Sequence, residues 1–273
     1  MSPSPRQSAA PPPLLRRDDA AGVATLTLDN PASRNPLSSE MLAAMHGALT
    51  DIAGDRGVRA VVIAGVGPAF SSGHDLREMT AHRNDRDGGE AFFERLMRDC
   101  AQVMMAIVEL PKPVIAAIEG VATAAGCQLV AACDLAIAGD HARFATPGVN
   151  IGLFCSTPLV AVARTISRKH AMEMALTGDL YSAAEVERFG LVNRVVPAGQ
   201  ALATAQQIGA RLATRSAATL AIGKKTFHQQ VELGLADAYA LASRAMVKNL
   251  LVPDAAEGIG AFLEKRPPRW VDE

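Results

Sequence analysis

Two short stretches carry residues whose types and spacing suit chemistry. One is Phe70-Ser71-Ser72-Gly73-His74-Asp75-Leu76 and the other is Ala124-Ala125-Gly126-Cys127-Gln128. Each follows an apolar run, and each holds a glycine, which lets a ligand approach the backbone closely. The second opens a helix of small residues, and N–H groups at a helix N-terminus favour a developing negative charge. One N–H from each stretch, aimed at a single oxygen, makes an oxyanion hole. The plain alternative is two tight turns with nothing bound.

Other polar residues near these stretches each admit a role and a simpler reading. The His74 imidazole titrates in a range that suits general base work. Cys155 offers a thiol, but no activating base stands beside it. Asn150 is a candidate to position a water. Asp75 and Asp134 read as caps of turns or helices, and Glu119 as a partner for a charge. His46, His141, His170 and His228 read as surface or helix residues. Arg164, Arg168 and Lys169 read as a solvated basic face, with a phosphate contact as the alternative. No GxSxG, HExxH or P-loop pattern is present. Gly65-Val66-Gly67 opens like a dinucleotide-binding loop, but Phe70 stands where its third glycine belongs. No metal-ligand spacing is found, so no metal is expected.

The elements that must position these residues alternate along the chain. Val23–Leu28, Ala60–Ala64, Val114–Ile118, Asp134–Ala138, Arg143–Ala145 and Val192–Val196 read as strands. A helix from Glu40 to about Ile52 is capped by Ser38-Ser39, with Met41, Leu42, Met45 and Leu49 on one face. Phe92–Val108 is amphipathic, with Phe93, Leu96, Met97, Met104, Ile107 and Val108 at helical spacing. Ala69–Leu76 reads as a loop, with a polar, mobile tail over Thr80–Gly89. Ala171–Thr177 and Tyr181–Phe189 read as helices, the second with Ser182 and Glu185 as a capping pair. From Ala201 the pattern is helical only. The fold class is therefore α/β, with an alternating core over 14–200 and a separate helical region over 201–273. Met1–Pro13, rich in Pro, Ser and Ala, reads as a disordered lead-in.

Composition narrows the function classes. The 27 basic and 28 acidic residues nearly cancel, which argues against nucleic acid or an anionic membrane as partner. Aromatics make up 4%, too few for a single-strand stacking platform. No apolar run reaches the ~18 residues of a membrane span, and no signal-peptide core is seen. Four cysteines without paired spacing read as reduced and buried, which fits a cytoplasmic location, or a mitochondrial one in a eukaryote.

Several segments together resemble the crotonase (enoyl-CoA hydratase/isomerase) superfamily. They are Arg34-Asn35-Pro36-Leu37, Val58–Val62, Phe70–Leu76, Pro111–Ala116, Ala125-Gly126-Cys127 through Cys133-Asp134, and Glu257-Gly258 through Arg266, all in family order. Within it, Ser71–Leu76, Thr123–Asp134 and Phe144–Pro158 look most like one subgroup. The resemblance implies a ββα spiral core, a C-terminal helical trimerisation region and acyl-CoA thioesters as ligands. It implies a homotrimer or dimer of trimers and no covalently bound cofactor, coenzyme A arriving as part of the substrate. It places the oxyanion N–H groups at His74 and Ala125, and CoA contacts at Arg34, Ser72, Asp75, Leu76, Phe262 and Lys265, with Arg266 beside them.

The departure from that pattern is as informative as the match. Hydratases of the superfamily use two glutamates around the attacking water, since one proton must leave water and another must reach the α-carbon. Those two positions hold Gln128 and Gly148 here. The enolate-stabilising half of the site is thus expected and the proton-transfer half is missing. Hydration is expected to be weak or absent. Isomerisation, decarboxylation, thioester hydrolysis and non-catalytic acyl-CoA binding remain as readings. Decarboxylation accounts most simply for the lost glutamates, because the enolate then forms without a base.

Overall fold

The structure is a computed structural model, and it describes residues 13–271. In chain order the elements are β1 (Leu15–Ala20), β2 (Val23–Leu28), α1 (Ser39–Gly54), β3 (Ala60–Gly65), β4 (Ala69–Ser71), α2 (Leu76–His82), α3 (Glu90–Glu109), β5 (Val114–Ile118), β6 (Val121–Thr123) and α4 (Ala125–Ala132). There follow β7 (Leu135–Gly139), β8 (Arg143–Ala145), α5 (Ser156–Thr165), α6 (Arg168–Thr177), β9 (Tyr181–Ser182), α7 (Ala183–Phe189) and β10 (Arg194–Val196). The chain ends in α8 (Ala201–Ala213), α9 (Ala217–Gln230), α10 (Leu235–Leu250) and α11 (Pro253–Leu263).

The strands form two sheets, of order β1-β2-β3-β5-β7-β10 and β4-β6-β8-β9. Only β1 and β9 run antiparallel to their neighbours. Three successive turns of the chain each give one strand to the first sheet, one to the second, and then helix: β3 with β4, β5 with β6, β7 with β8. This is the ββα spiral. Strands β3 and β5 are apolar on both faces because both faces are covered, and β2 buries Thr25 and Thr27 on one of its faces. Leu26, Ile63 and Ala116 pack with α1 and α3 on one side. Val62, Ile115 and Ile137 pack on Ala201, Ala205 and Ile208 of α8 on the other. The packing of the sheet thus continues past residue 200, and the largely exposed helices begin at α9.

Most of the periodic segments form as read. Ser38 caps α1, and Ser182 and Glu185 make a reciprocal capping box. Three readings are corrected. The stretch Ala69–Leu76 is not all loop, since it begins as β4 and ends at the first residue of α2. The expected mobile tail over Thr80–Gly89 is the end of α2 followed by turns. There the Asp87 carboxylate accepts from the Gly89 and Ala91 N–H groups, and His82 stacks on Phe92 at 3.7 Å. Tyr181-Ser182 is an edge strand rather than the start of a helix. Residues 1–12 of the expected disordered lead-in lie outside the described residues. Arg16 and Arg17 belong to β1, paired with Asp29, Asp19 and Asp55.

Candidate active site

The two glycine-bearing stretches meet at the ends of β4 and β6, neighbouring parallel strands. Beyond β4, the Ser72 N–H donates to Arg34 O at 3.0 Å, and the Leu37 N–H donates to Gly73 O at 2.8 Å. Thr123 Oγ1 donates to Ser72 O at 3.1 Å, tying the loops together. Gly73 has φ +88°, and a Cβ there would lie 2.9 Å from Ala124 Cβ and 3.1 Å from Ala125 N. Only glycine lets the loops approach this closely. Gly126 does the same two residues beyond Ala124, where a Cβ would come within 2.3 Å of Ser71 O.

Between β6 and α4, Ala124 adopts φ 50°, ψ −119°, a conformation that costs a side-chain-bearing residue about 1–3 kcal/mol. Its N–H donates to Ala145 O at 3.0 Å, which holds the turn. The turn aims the Ala125 N–H out of the first turn of α4, where it has no intrahelical acceptor. Among the described residues neither the Ala125 nor the His74 N–H has an acceptor. Two free donors thus flank the contact between Gly73 and Ala124-Ala125, one of them at a helix N-terminus.

The His74 side chain is committed elsewhere. Its Nδ1 lies 3.1 Å from Leu37 O. A carbonyl only accepts, so the proton sits on Nδ1. Nε2 is sealed and has no partner. Burial pushes its pKa down, against the Leu37 bond and the nearby Glu78 charge. The folded protein therefore keeps a neutral His74 where the unfolded chain protonates, near pH 6.5. The unfolded state then binds the extra proton, so stability falls as pH drops below about 6.5, by at most about 1.4 kcal/mol per pH unit. Urea unfolding at pH 7.5 and 5.5 should show this loss in the native protein and a smaller one in His74→Gln. Equal losses would remove the assignment.

Gln128 and Gly148 are both largely buried. Gln128 is 4% exposed. At Gly148 a Cβ would meet Leu153 O at 2.9 Å and Cys155 Sγ at 3.0 Å. The Cys155 thiol fills the space into which a side chain at 148 would grow. Burial pushes its pKa up, so it stays a thiol rather than a nucleophilic thiolate. Asn150 Nδ2 donates to Gly178 O at 3.3 Å, which commits it to a turn.

Arg34 is exposed, with its carbonyl on Ser72. The Asp75 carboxylate caps α2 through the Arg77 and Glu78 N–H groups. Leu76 is half exposed beside it. Phe262 is 82% exposed at the end of α11, with exposed Lys265 just beyond. Arg266 is engaged by Glu257 and Glu264. The structure therefore gathers Ser72, His74, Asp75, Leu76 and Ala125 in one place, with the Arg34 backbone. It leaves the C-terminal residues on a separate helical surface. Glu119 accepts from the Ala201 N–H at the start of α8, and Asp134 pairs with Lys224.

Two further buried residues shape the site. Asn35, fully buried, donates to Val66 O and Ala69 O and accepts from the Asn30 N–H. It ties the Arg34 loop to the turn before β4. Cys100 faces Gln128 from α3; only the helical spacing of α3, which turns Cys100 inward, hints at it. Among the described residues no group of three or more His, Cys, Asp or Glu is placed to hold a metal ion. Two cavities of about 400 and 460 Å³ are lined by other residues, one along β1, β2 and α8 and the other among α9, α10 and α11.

The sequence pattern described as Enoyl-CoA hydratase/isomerase matches residues 18–273. Enoyl-CoA hydratase domain-containing protein 3, mitochondrial, from Rattus norvegicus is 44% identical over 272 residues, covering 98% of this chain and 89% of that protein. It represents the subgroup that the Ser71–Leu76, Thr123–Asp134 and Phe144–Pro158 segments resemble. A crystal structure of enoyl-CoA hydratase from Mycobacterium smegmatis superposes with a TM-score of 0.90 at 48% identity, covering 95% of this chain and 99% of that one. The human enoyl Coenzyme A hydratase domain-containing protein 3 structure gives 0.89 at 43%, covering 94% and 100%.

Proposed function

Because the chain belongs to the enoyl-CoA hydratase/isomerase family, we propose that it binds acyl-CoA thioesters and holds their enolates on the backbone N–H groups of His74 and Ala125. The observation that carries this reading is the pair of donors without acceptors at the Gly73–Ala124 contact. Charge that moves onto a thioester oxygen there meets two preformed N–H groups and the positive end of α4. The strain at Ala124 is the cost of presenting one of them. Arg34, Ser72, Leu76 and the Asp75 backbone line the CoA, and Phe262 and Lys265 reach it from a neighbouring subunit.

Ordinary hydration of an enoyl thioester is weak in this reading. It needs a base for water and an acid for the α-carbon. Gln128 has no useful pKa, Gly148 has no side chain, and Cys155 occupies the space beside it. The self-association is a homotrimer or a dimer of trimers. Its support is the apolar surface of the C-terminal helices, where Leu235, Leu251, Phe262 and Leu263 are each more than 70% exposed.

The test is loss of enoyl absorbance from crotonyl-CoA, with Gln128→Glu beside the native protein and melting temperature read with and without acyl-CoA. The expected result is a raised melting temperature with little or no hydration. Fast hydration by the native protein would overturn the missing-carboxylate reading. No thermal shift with any acyl-CoA would overturn the binding reading.

A further inference from the structure

Gln128 lies three residues beyond Ala125, on the same face of α4. Helical side chains lean toward the N-terminus, so its carboxamide reaches back toward the turn that presents the free N–H groups. A carboxamide has two donors and an acceptor. Among the described residues it makes one hydrogen bond: Cys100 Sγ lies 4.0 Å from Oε1. Cys100 is 1% exposed on α3, and burial pushes its pKa up to about 12. It therefore keeps its proton and acts as a donor, which makes the facing atom the oxygen. Nε2 has no acceptor among the described residues and, unlike the sealed His74 Nε2, is not closed off.

We infer that the Cys100 thiol fixes Gln128 with its NH₂ group turned toward the free N–H groups of His74 and Ala125, and that the site takes acyl thioesters bearing a second acceptor oxygen, a carbonyl or carboxylate, on the β-carbon. This rests on the thioester-binding reading above and adds the substrate class to it. Three donors then converge on the acyl group: two for the thioester oxygen and one for the oxygen further along the chain. A glutamate at 128 would repel a β-carboxylate, whereas an amide N–H holds it without neutralising it. With a carboxylate in that place the chemistry balances without a protein base. The bond from the α-carbon to the carboxylate breaks, and its electron pair moves into the thioester enolate, held by His74 and Ala125. Carbon dioxide leaves, water gives a proton to the α-carbon, and the hydroxide so formed takes up the carbon dioxide as bicarbonate.

Malonyl-CoA and acetyl-CoA differ only by that carboxylate, so calorimetry with both on the full-length protein tests the inference. Malonyl-CoA should bind about tenfold or more tightly than acetyl-CoA, as a hydrogen bond to a charged group implies. Gln128→Glu should abolish or invert this ratio, and Gln128→Met should bring it close to one. Cys100→Ala should lower the ratio about threefold or more by freeing the amide to turn, whereas Cys100→Ser, which keeps a donor, should restore it. Equal affinities in the native protein, or a preference that survives Gln128→Glu, would overturn the inference while leaving thioester binding intact. Failure of both ligands to bind would overturn the thioester reading itself.

Discussion

Turnover of any thioester the protein processes should fall about 10²–10³-fold when the Ala125 N–H is removed, the usual cost of deleting one oxyanion donor. Proline at 125 does this at the first position of α4, where a helix tolerates proline because that N–H has no helical acceptor. Ala124, with φ 50° and ψ −119°, is a poor neighbour for proline. The change is therefore best made with Ala124→Gly, using Ala124→Gly alone as the reference. The glycine relieves the strain at 124 and isolates the loss of the donor. The infrared carbonyl stretch of bound acetyl-CoA gives a second readout. It should shift to lower wavenumber on the reference protein and move back toward the free value in the double variant. An unchanged stretch with undiminished turnover would show that Ala125 does not hold the thioester oxygen.

Lys224 should prove a costly side chain to remove for stability. Its ammonium donates to Asp134 Oδ2 at 2.6 Å, Ile107 O at 2.8 Å and Lys112 O at 3.0 Å. Its side chain is 9% exposed, and that of Asp134 is 19%. These three bonds tie α9 to the end of α3, the turn before β5 and the turn before β7. Lys224→Met keeps most of the stem's packing but leaves Asp134, among the described residues, with the Val114 N–H and a His228 ring nitrogen at 3.4 Å. Breaking a buried pair from one side costs about 3–5 kcal/mol. Urea unfolding should show a loss of that size, with faster amide exchange along α9. Asp134→Asn in the same chain should recover part of it. A loss below about 1 kcal/mol would show that α9 is held by its other contacts.

The readable and unreadable parts of the fold separate on physical grounds. Strands β3 and β5 are legible because burial on both faces demands unbroken apolar runs, and β2 through its β-branched residues. Strand β1 is not, since five of its six residues face solvent and its place comes from pairing with β2. Helix α5 is not legible because only Pro158 and Val162 of its ten residues are buried, too few to show a period. Helix α2 has no buried residue at all and is set by the Asp75 cap.

What the sequence by itself determined is the alternation of strand and helix, the two glycine-bearing turns, and an amide at 128 and a glycine at 148. These are local properties, written in residue type and period. Only the tertiary structure decided that Gly73 and Gly126 bring the two turns into contact and that Ala124 is strained. It also decided that the His74 ring is bound to Leu37, that Cys155 fills the space at 148, and that Cys100 faces Gln128. Each of these depends on segments tens of residues apart arriving at van der Waals distance. Sequence period says which face of an element is buried, but not which atom meets it there. That second fact decides which N–H groups go unpaired and which way an amide turns, and so what the site can hold.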